Sequence, residues 1–318
     1  MNRATLLEAL PFVLETIQLP CKQHGFKQQS GKVREMCSKD NERIIVTTDR
    51  VSAFDVVLGT IPMKGQVLTQ LSNWWFEQTK DIISNHLLSN PDPNVMIVKN
   101  ARPLPVEVIV RGYITGVTKT SLWKLYEAGE RNPYGILLPD GLQKNDALPE
   151  PIITPTTKAE AGGHDERLTR QEILKRNILP ESLWTQIEHT ALALFKRGQD
   201  LACKADLLLV DTKYEFGLVD NQLTLIDEIH TPDSSRYWTL SSYEQNPDRP
   251  ESLDKEFLRE WFASQGYRGE GKIPIMRDEF RVQVAERYIR VYETLTGQTF
   301  IPGSAPVDVR ILGVLESL

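Results

Sequence analysis

The stretch ADLLLVDTKYEFGLVDNQLTLIDEIH, residues 205–230, constrains the fold most. Apolar and polar residues alternate on both sides of Asp220-Asn221-Gln222, a period of two that suits a strand and not a helix. The pattern predicts a long antiparallel hairpin, and a two-stranded hairpin needs further elements to cover its buried face. Asp211, Lys213 and Glu215 fall on one face of the first strand. Taking residues 220–222 as a three-residue loop sets Val219 opposite Leu223 and Glu215 opposite Asp227. A slip of one residue sets Glu215 opposite Glu228. Carboxylates opposed across a sheet repel each other unless a cation intervenes. A hard dication shared with substrate phosphates is one solution. A solvated polar face, or a structural Asp–Lys–Glu network, is the other.

The rest of the chain mixes strands and helices without regular alternation, which points to an α+β fold. Helical spacing covers residues 5–18 (interrupted by Pro11), 66–88, 181–203, 252–265 and 277–296. A first hairpin is expected over 26–54, where QQSGKVREMCS and RIIVTTDRVSAF flank KDNE. NPDPN at 90–94 reads as a loop, and 129–163 as a long loop of functional character. The prolines at 103 and 105 interrupt two strands and mark the expected hinge. The chain of 318 residues then divides into 1–104, a β-rich domain, and 105–318.

A net charge of −6 excludes a bulk basic field that would recruit nucleic acid or an anionic membrane. No apolar run approaches the roughly 20 residues of a membrane span, and the first twenty residues show no signal peptide. Cys21, Cys37 and Cys203 are far apart, which argues against zinc and against a disulfide framework, and favours a reducing cytoplasm. Anionic ligands must therefore be gripped by local cations. SGKVRE (30–35) offers Lys32 and Arg34 on one face beside the permissive Gly31, without a Walker A or GxGxxG pattern. EVIVRGYITG (107–116) ends an apolar run in Arg111, suited to a carboxylate or phosphate. IITPTTKAEAGGHDE (152–166) has the composition of a mobile polar loop. His24, His86, His189 and His230 have no ligand spacing.

Taken together and in order, GKVRE, TTDRVSAFD, IPMKGQVLTQLSNWWF, VEVIVRGYITG, TPTTKAEAGGHDE, DTKYEFGLVD and DEIHTPDSSRYW resemble the SAICAR synthetase family over most of residues 20–240. The longer form resembles fungal and plant members. The resemblance implies an α+β, SAICAR-synthetase-like fold: an N-terminal β domain like the small lobe of protein kinases, and an ATP-grasp-like domain with C-terminal helices. It implies an ATP-dependent ligase that joins carboxyaminoimidazole ribonucleotide to L-aspartate through an acyl phosphate, with Mg²⁺ and release of ADP and phosphate.

By the same resemblance, Gly31, Lys32, Arg34, Lys213, Glu215 and Asp227 bind ATP, and Glu215 and Asp227 hold the metal. Arg111, Asp233, Ser234, Ser235 and Arg236 bind the ribonucleotide, and Lys213 and Asp211 are catalytic. Val117 stands where the family commonly has a phosphate-holding serine; Thr118, Thr120 or Ser121 could replace its hydroxyl. After about residue 245 no motif transfers. Two competing readings are a kinase-like phosphotransferase, disfavoured by the lack of HRD and DFG loops, and a nucleotide-binding module without chemistry. Monomer and homo-oligomer both remain open.

Overall fold

The structure is a computed structural model, which describes residues 1–21, 25–118, 121–158 and 165–317. Helix α1 (Arg3–Ala9) does not continue to residue 18. It passes into a short 3-10 turn, Leu10–Phe12, because Pro11 cannot supply the N–H that a longer helix needs. Strands β1 (Lys27–Ser30), β2 (Arg34–Lys39) and β3 (Glu42–Thr47) follow. SGKVRE is therefore not one strand but a strand, a turn at Gly31–Val33, and a second strand. A small pair, β4 (Arg50–Ala53) and β5 (Val56–Thr60), leads into helix α2 (Lys64–Thr79), which stops short of residue 88. Residues Leu87–Asp92 form β6, so the expected NPDPN loop is partly strand, and β7 spans Val95–Lys99. The first sheet has the order β1-β2-β3-β7-β6, antiparallel throughout.

Strand β8 (Arg102–Tyr113) runs through both prolines. Pro103 pairs with Gly217 beyond a register irregularity, a place where a missing N–H is tolerated. After α3 (Leu122–Glu127), the long-loop region also contributes β9 (Ala147–Ile153) and β10 (Thr156–Thr157). Residues 159–164 of the AEAGGH stretch lie outside the described residues. Helices α4 (Arg170–Lys175) and α5 (Glu181–Lys204) precede β11 (Leu207–Val219), β12 (Gln222–Ile226) and β13 (Ser235–Thr239). The second sheet runs β10-β8-β11-β12, with β9 on β8 and β13 on β11. Helix α5 covers β11 with Trp184, Ile187, Ala191 and Leu194 buried. This is the face its apolar spacing predicts.

The hairpin register differs from expectation. The loop is Asp220-Asn221 alone, at φ 50° and 61°. Asn and Asp tolerate the left-handed region, so two residues suffice for the turn. Val219 pairs with Gln222 and Glu215 with Ile226, so neither Asp227 nor Glu228 lies opposite Glu215; the carboxylate directly opposite it is Glu107 on the other neighbour, β8. Asp227 instead follows the strand at φ 68°, and its direction is set by that turn.

The C-terminal part adds α6 (Leu240–Gln245), α7 (Lys255–Ser264), α8 (Asp278–Thr296) and an unanticipated α9 (Val307–Leu315). Helix α8 packs on α1 and α2, and α9 on β6. One continuous core draws Trp75, Tyr214, Tyr237, Phe262 and Tyr288 together from all parts of the chain. Cys21 and Cys37 are joined as a disulfide with Cα atoms 5.6 Å apart. This corrects the expectation of no disulfide: the fold places Cys21 against Cys37 on β2, a proximity that sequence spacing does not reveal. Cys203 is free and exposed.

Candidate active site at two adjoining cavities

A cleft of about 520 Å³ lies between the two sheets, lined by Gly31, Lys32 and Arg34 from one side and Lys213, Glu215 and Asp227 from the other. A cavity of about 290 Å³ adjoins it, lined by Arg111, Asp211, Ser235 and Arg236. Four residues line both: Lys213, Asp233, Ser234 and Lys255. Each sequence-predicted site residue thus lines one cavity or forms the wall between them.

The cleft is a mesh of ion pairs. Arg34, at the start of β2, reaches across to Asp227 at 2.5 Å and Glu228 at 3.1 Å. Lys32, in the turn rather than on the strand, is exposed and pairs with Asp55 at 2.8 Å. Lys213 Nζ sits between Glu107 at 2.8 Å and Glu215 at 2.5 Å, and Lys158 pairs with Glu215. Burial alone would raise the Glu215 carboxyl, but Lys213 and Lys158 outweigh it and hold the group well below the usual carboxylate range. For Lys213, burial opposes the charge, but Glu215 and Glu107 prevail and raise its pKa. Asp227 differs: burial pushes it up to about 6 despite Arg34. Charged groups shifted from their ordinary pKa values by burial and specific partners, and lining a cleft, make this a candidate functional site.

In the smaller cavity, sheet register does the positioning. Arg111 on β8 and Arg236 on β13 lie on either side of Asp211 on β11. Both guanidiniums pair with Oδ2 of Asp211, Arg111 at 3.0 Å. Ser235 donates to Thr212 Oγ1 at 2.8 Å, and Ser234 Oγ accepts from the Thr231 N–H at 3.2 Å. Thr118 and Ser121 line this cavity with the arginines. Val117 lines a neighbouring cavity that also touches Arg236. Thr120 lies outside the described residues.

Sequence reasoning missed several residues. Asp233, a residue the sequence did single out, has a side chain only 3% exposed, and its Oδ2 meets two of the missed residues, Lys64 at 2.9 Å and Lys255 at 3.2 Å. Its Oδ1 accepts from Tyr288 at 2.8 Å. The two lysines overcome burial and hold Asp233 below the usual carboxylate range. Lys64 begins α2, whose start is fixed by Asp49: its carboxylate accepts the N–H groups of Gly65 and Leu14 at 2.9 and 2.8 Å. Gly65 itself is required, since a Cβ there would lie 2.3 Å from the Thr47 carbonyl oxygen. Glu228, whose side the hairpin pattern left open, is buried and accepts from Thr231 at 2.5 Å. Glu256 and Arg259, on α7, pair at 3.0 Å, and Glu256 also meets Arg236 at 3.4 Å. The available signal was SLDKEFLREW: Asp254 accepts the Glu256 N–H at 2.6 Å as the α7 cap, and the charges that follow are one turn apart.

A family model for SAICAR synthetase matches residues 27–274. A protein of Agrobacterium fabrum named putative phosphoribosylaminoimidazole-succinocarboxamide synthase 2 is 52% identical over 86% of this chain and 88% of its own length. The phosphoribosylaminoimidazole-succinocarboxamide synthase of Legionella pneumophila (strain Lens) is 46% identical over 95% of this chain and 97% of its own. The likeness to fungal and plant members thus extends to bacterial ones of similar length. A solved SAICAR-synthase from Saccharomyces cerevisiae, complexed with SAICAR, matches with a TM-score of 0.78 at 32% identity, covering 91% of this chain and 100% of that one.

Proposed function

This chain belongs to the SAICAR synthetase family, and on that premise we propose that it joins the carboxylate of carboxyaminoimidazole ribonucleotide to the amine of L-aspartate, converting ATP to ADP and phosphate. The observation that carries the reading is the shared wall. A cleft with the cations for a triphosphate adjoins a cavity whose paired arginines suit a phosphorylated ribonucleotide. Only the carboxylate and the γ-phosphoryl group need to meet between them.

Residues 1–104 serve as a kinase-small-lobe-like, nucleotide-covering domain and 105–318 as an ATP-grasp-like domain. Strand β8, which crosses that boundary, joins them. Gly31, Lys32 and Arg34 cover the phosphates of ATP. Arg111 and Arg236, with Ser234 and Ser235 beside them, take the phosphate of the ribonucleotide, and Asp233 orients the lysines around it. Glu215 and Asp227 present hard oxygen donors at the cleft. Among the described residues no cluster of three or more His, Cys, Asp or Glu side chains is arranged for a metal. That donor set fits Mg²⁺, which is commonly held by one or two carboxylates together with substrate phosphates. When bound, the ion would neutralise charge on the phosphates. Lys213 adds its fixed positive charge beside the transferring group, and the proton shed by the attacking amine goes to Asp211 once its two arginines turn to the substrate phosphate. Most of the catalysis is placement and charge compensation. The cytoplasm is the setting proposed; no described helix is long and apolar enough to cross a membrane.

The test is ADP release with aspartate and ribonucleotide present or omitted in turn. Turnover should require both. Glu215→Gln and Asp227→Asn should each lower kcat at least about a hundredfold. Phosphorylation of a hydroxyl acceptor would favour the phosphotransferase alternative, and ATP binding without turnover would favour the non-catalytic module.

A further inference from the structure

We propose that Lys255, at the start of α7, is a catalytic residue that contacts the substrate carboxylate oxygen and the phosphoryl group transferred to it. The inference rests on the reading above and identifies a residue in the segment where no sequence motif could be placed.

Geometry supports it by elimination. Any group that touches both reacting partners must border both cavities, and Lys213, Asp233, Ser234 and Lys255 do. Lys213, held between Glu107 and Glu215, supplies its charge from the nucleotide side. The Ser234 hydroxyl is engaged with Thr231. Asp233 is an anion, which would repel both partners. Lys255 is the remaining cation. It pairs with Asp233 Oδ2 at 3.2 Å, but Lys64, fully buried, lies closer to the same oxygen at 2.9 Å, and Tyr288 serves the other. Asp233 thus has a counter-ion without Lys255.

Lys255 is also rigidly placed. Its N–H donates to the Pro232 carbonyl at 3.2 Å, and Asp254 caps its helix. Little reorganisation is then needed when charge develops. In the first step the carboxylate oxygen forms a bond to the γ-phosphorus, the bond from that phosphorus to the β,γ-bridging oxygen breaks, and ADP leaves with the electron pair. No proton moves, so negative charge converges on the wall, and Lys255 adds a second ammonium from the ribonucleotide side to that of Lys213. In the second step the amine nitrogen bonds to the carbonyl carbon, its proton passes to Asp211, the bond from that carbon to the phosphate oxygen breaks, and phosphate departs with the electron pair.

The experiment compares Lys255→Met, Lys255→Arg and Tyr288→Phe with the wild type. It measures steady-state kinetics, ADP binding by calorimetry, and ribonucleotide-dependent positional isotope exchange in ATP without aspartate, which reads the first step alone. Lys255→Met should lower kcat and the exchange rate at least about a hundredfold, with ADP affinity within threefold of the wild type as evidence of an intact cleft. Lys255→Arg should recover part of the exchange. Tyr288→Phe, which loosens Asp233 but leaves Lys255, should lose less than tenfold. Exchange in Lys255→Met within fivefold of the wild type would overturn the assignment. So would an equal loss in Tyr288→Phe, because Lys255 would then be acting only through Asp233. If Lys255→Met fails to fold, Lys255→Gln is read by the same limits. A wild type with no aspartate-dependent ADP release would instead remove the underlying function, and this role with it.

Discussion

Replacing Lys64 with Met isolates the counter-ion of Asp233. Lys64 is fully buried and its methionine replacement keeps most of the stem volume, so the change is chiefly one of charge. At 2.9 Å and an effective dielectric of about 20, the attraction is about 6 kcal/mol before desolvation is subtracted. Breaking one partner out of a buried ion cluster typically costs about 3–5 kcal/mol. Lys255 still pairs with Asp233 and Tyr288 still donates to it, so the low end, about 3 kcal/mol, is expected. The pH dependence follows from sign. Asp233 is held below its unfolded value, so its contribution is present above about pH 4 and is lost as pH falls below that. The penalty should be constant from pH 5.5 to 8. Urea unfolding monitored by tryptophan fluorescence measures it. A double-mutant cycle with Asp233→Asn should show that the two changes together cost less than their sum. A Lys64→Met protein as stable as the wild type, or strict additivity in the cycle, would refute the claim that this lysine is the counter-ion.

Burial holds His230 neutral, lowering it to about 3, while its unfolded form takes a proton near pH 6.5. Stability should therefore fall with acidification below about pH 6.5, by about 1.4 kcal/mol per unit from this group; His230→Gln should flatten that slope in acid unfolding curves, and an unchanged slope would count against it. Reducing the Cys21–Cys37 bond, whose cysteines are 16 residues apart, should lower stability by about 3 kcal/mol, seen as a lower urea midpoint with a phosphine reductant; identical midpoints would contradict a role in stability. Gly65→Ala should cost at least about 1–3 kcal/mol through overpacking against Thr47. It should also impair turnover by displacing Lys64, whereas a soluble variant of normal melting temperature and kcat would show that the helix start yields freely.

The strands and the long helices of the second sheet were legible because period-two and period-3.6 patterns record which face is buried. Helix α5 is an example, with its apolar stripe on β11. The hairpin register was not legible to the residue, since Asp-Asn accepts two consecutive left-handed positions and so needs no third loop residue. The site residues on β2, β8, β11 and the Pro232 turn were readable as charges in unusual places. Lys64, Lys255 and Tyr288 were not, because each is one residue of an ordinary-looking helix. Their importance comes from three-dimensional convergence on one carboxylate, which leaves no local trace. The disulfide was hidden for the same reason: Cys21 and Cys37 meet through the tertiary fold and not through their spacing.

The packing of α8 on α1 and α2, with α9 on β6, has a mechanical consequence. Helices from the far end of the sequence thus hold the N-terminal part at α1, α2 and β6, so its sheet is not attached through β8 alone. On the proposed function, a cleft braced in this way would admit a triphosphate by exchange of side-chain partners at its mouth. Arg34 would release Asp227 and Glu228 for phosphate oxygens, while the two walls keep their separation.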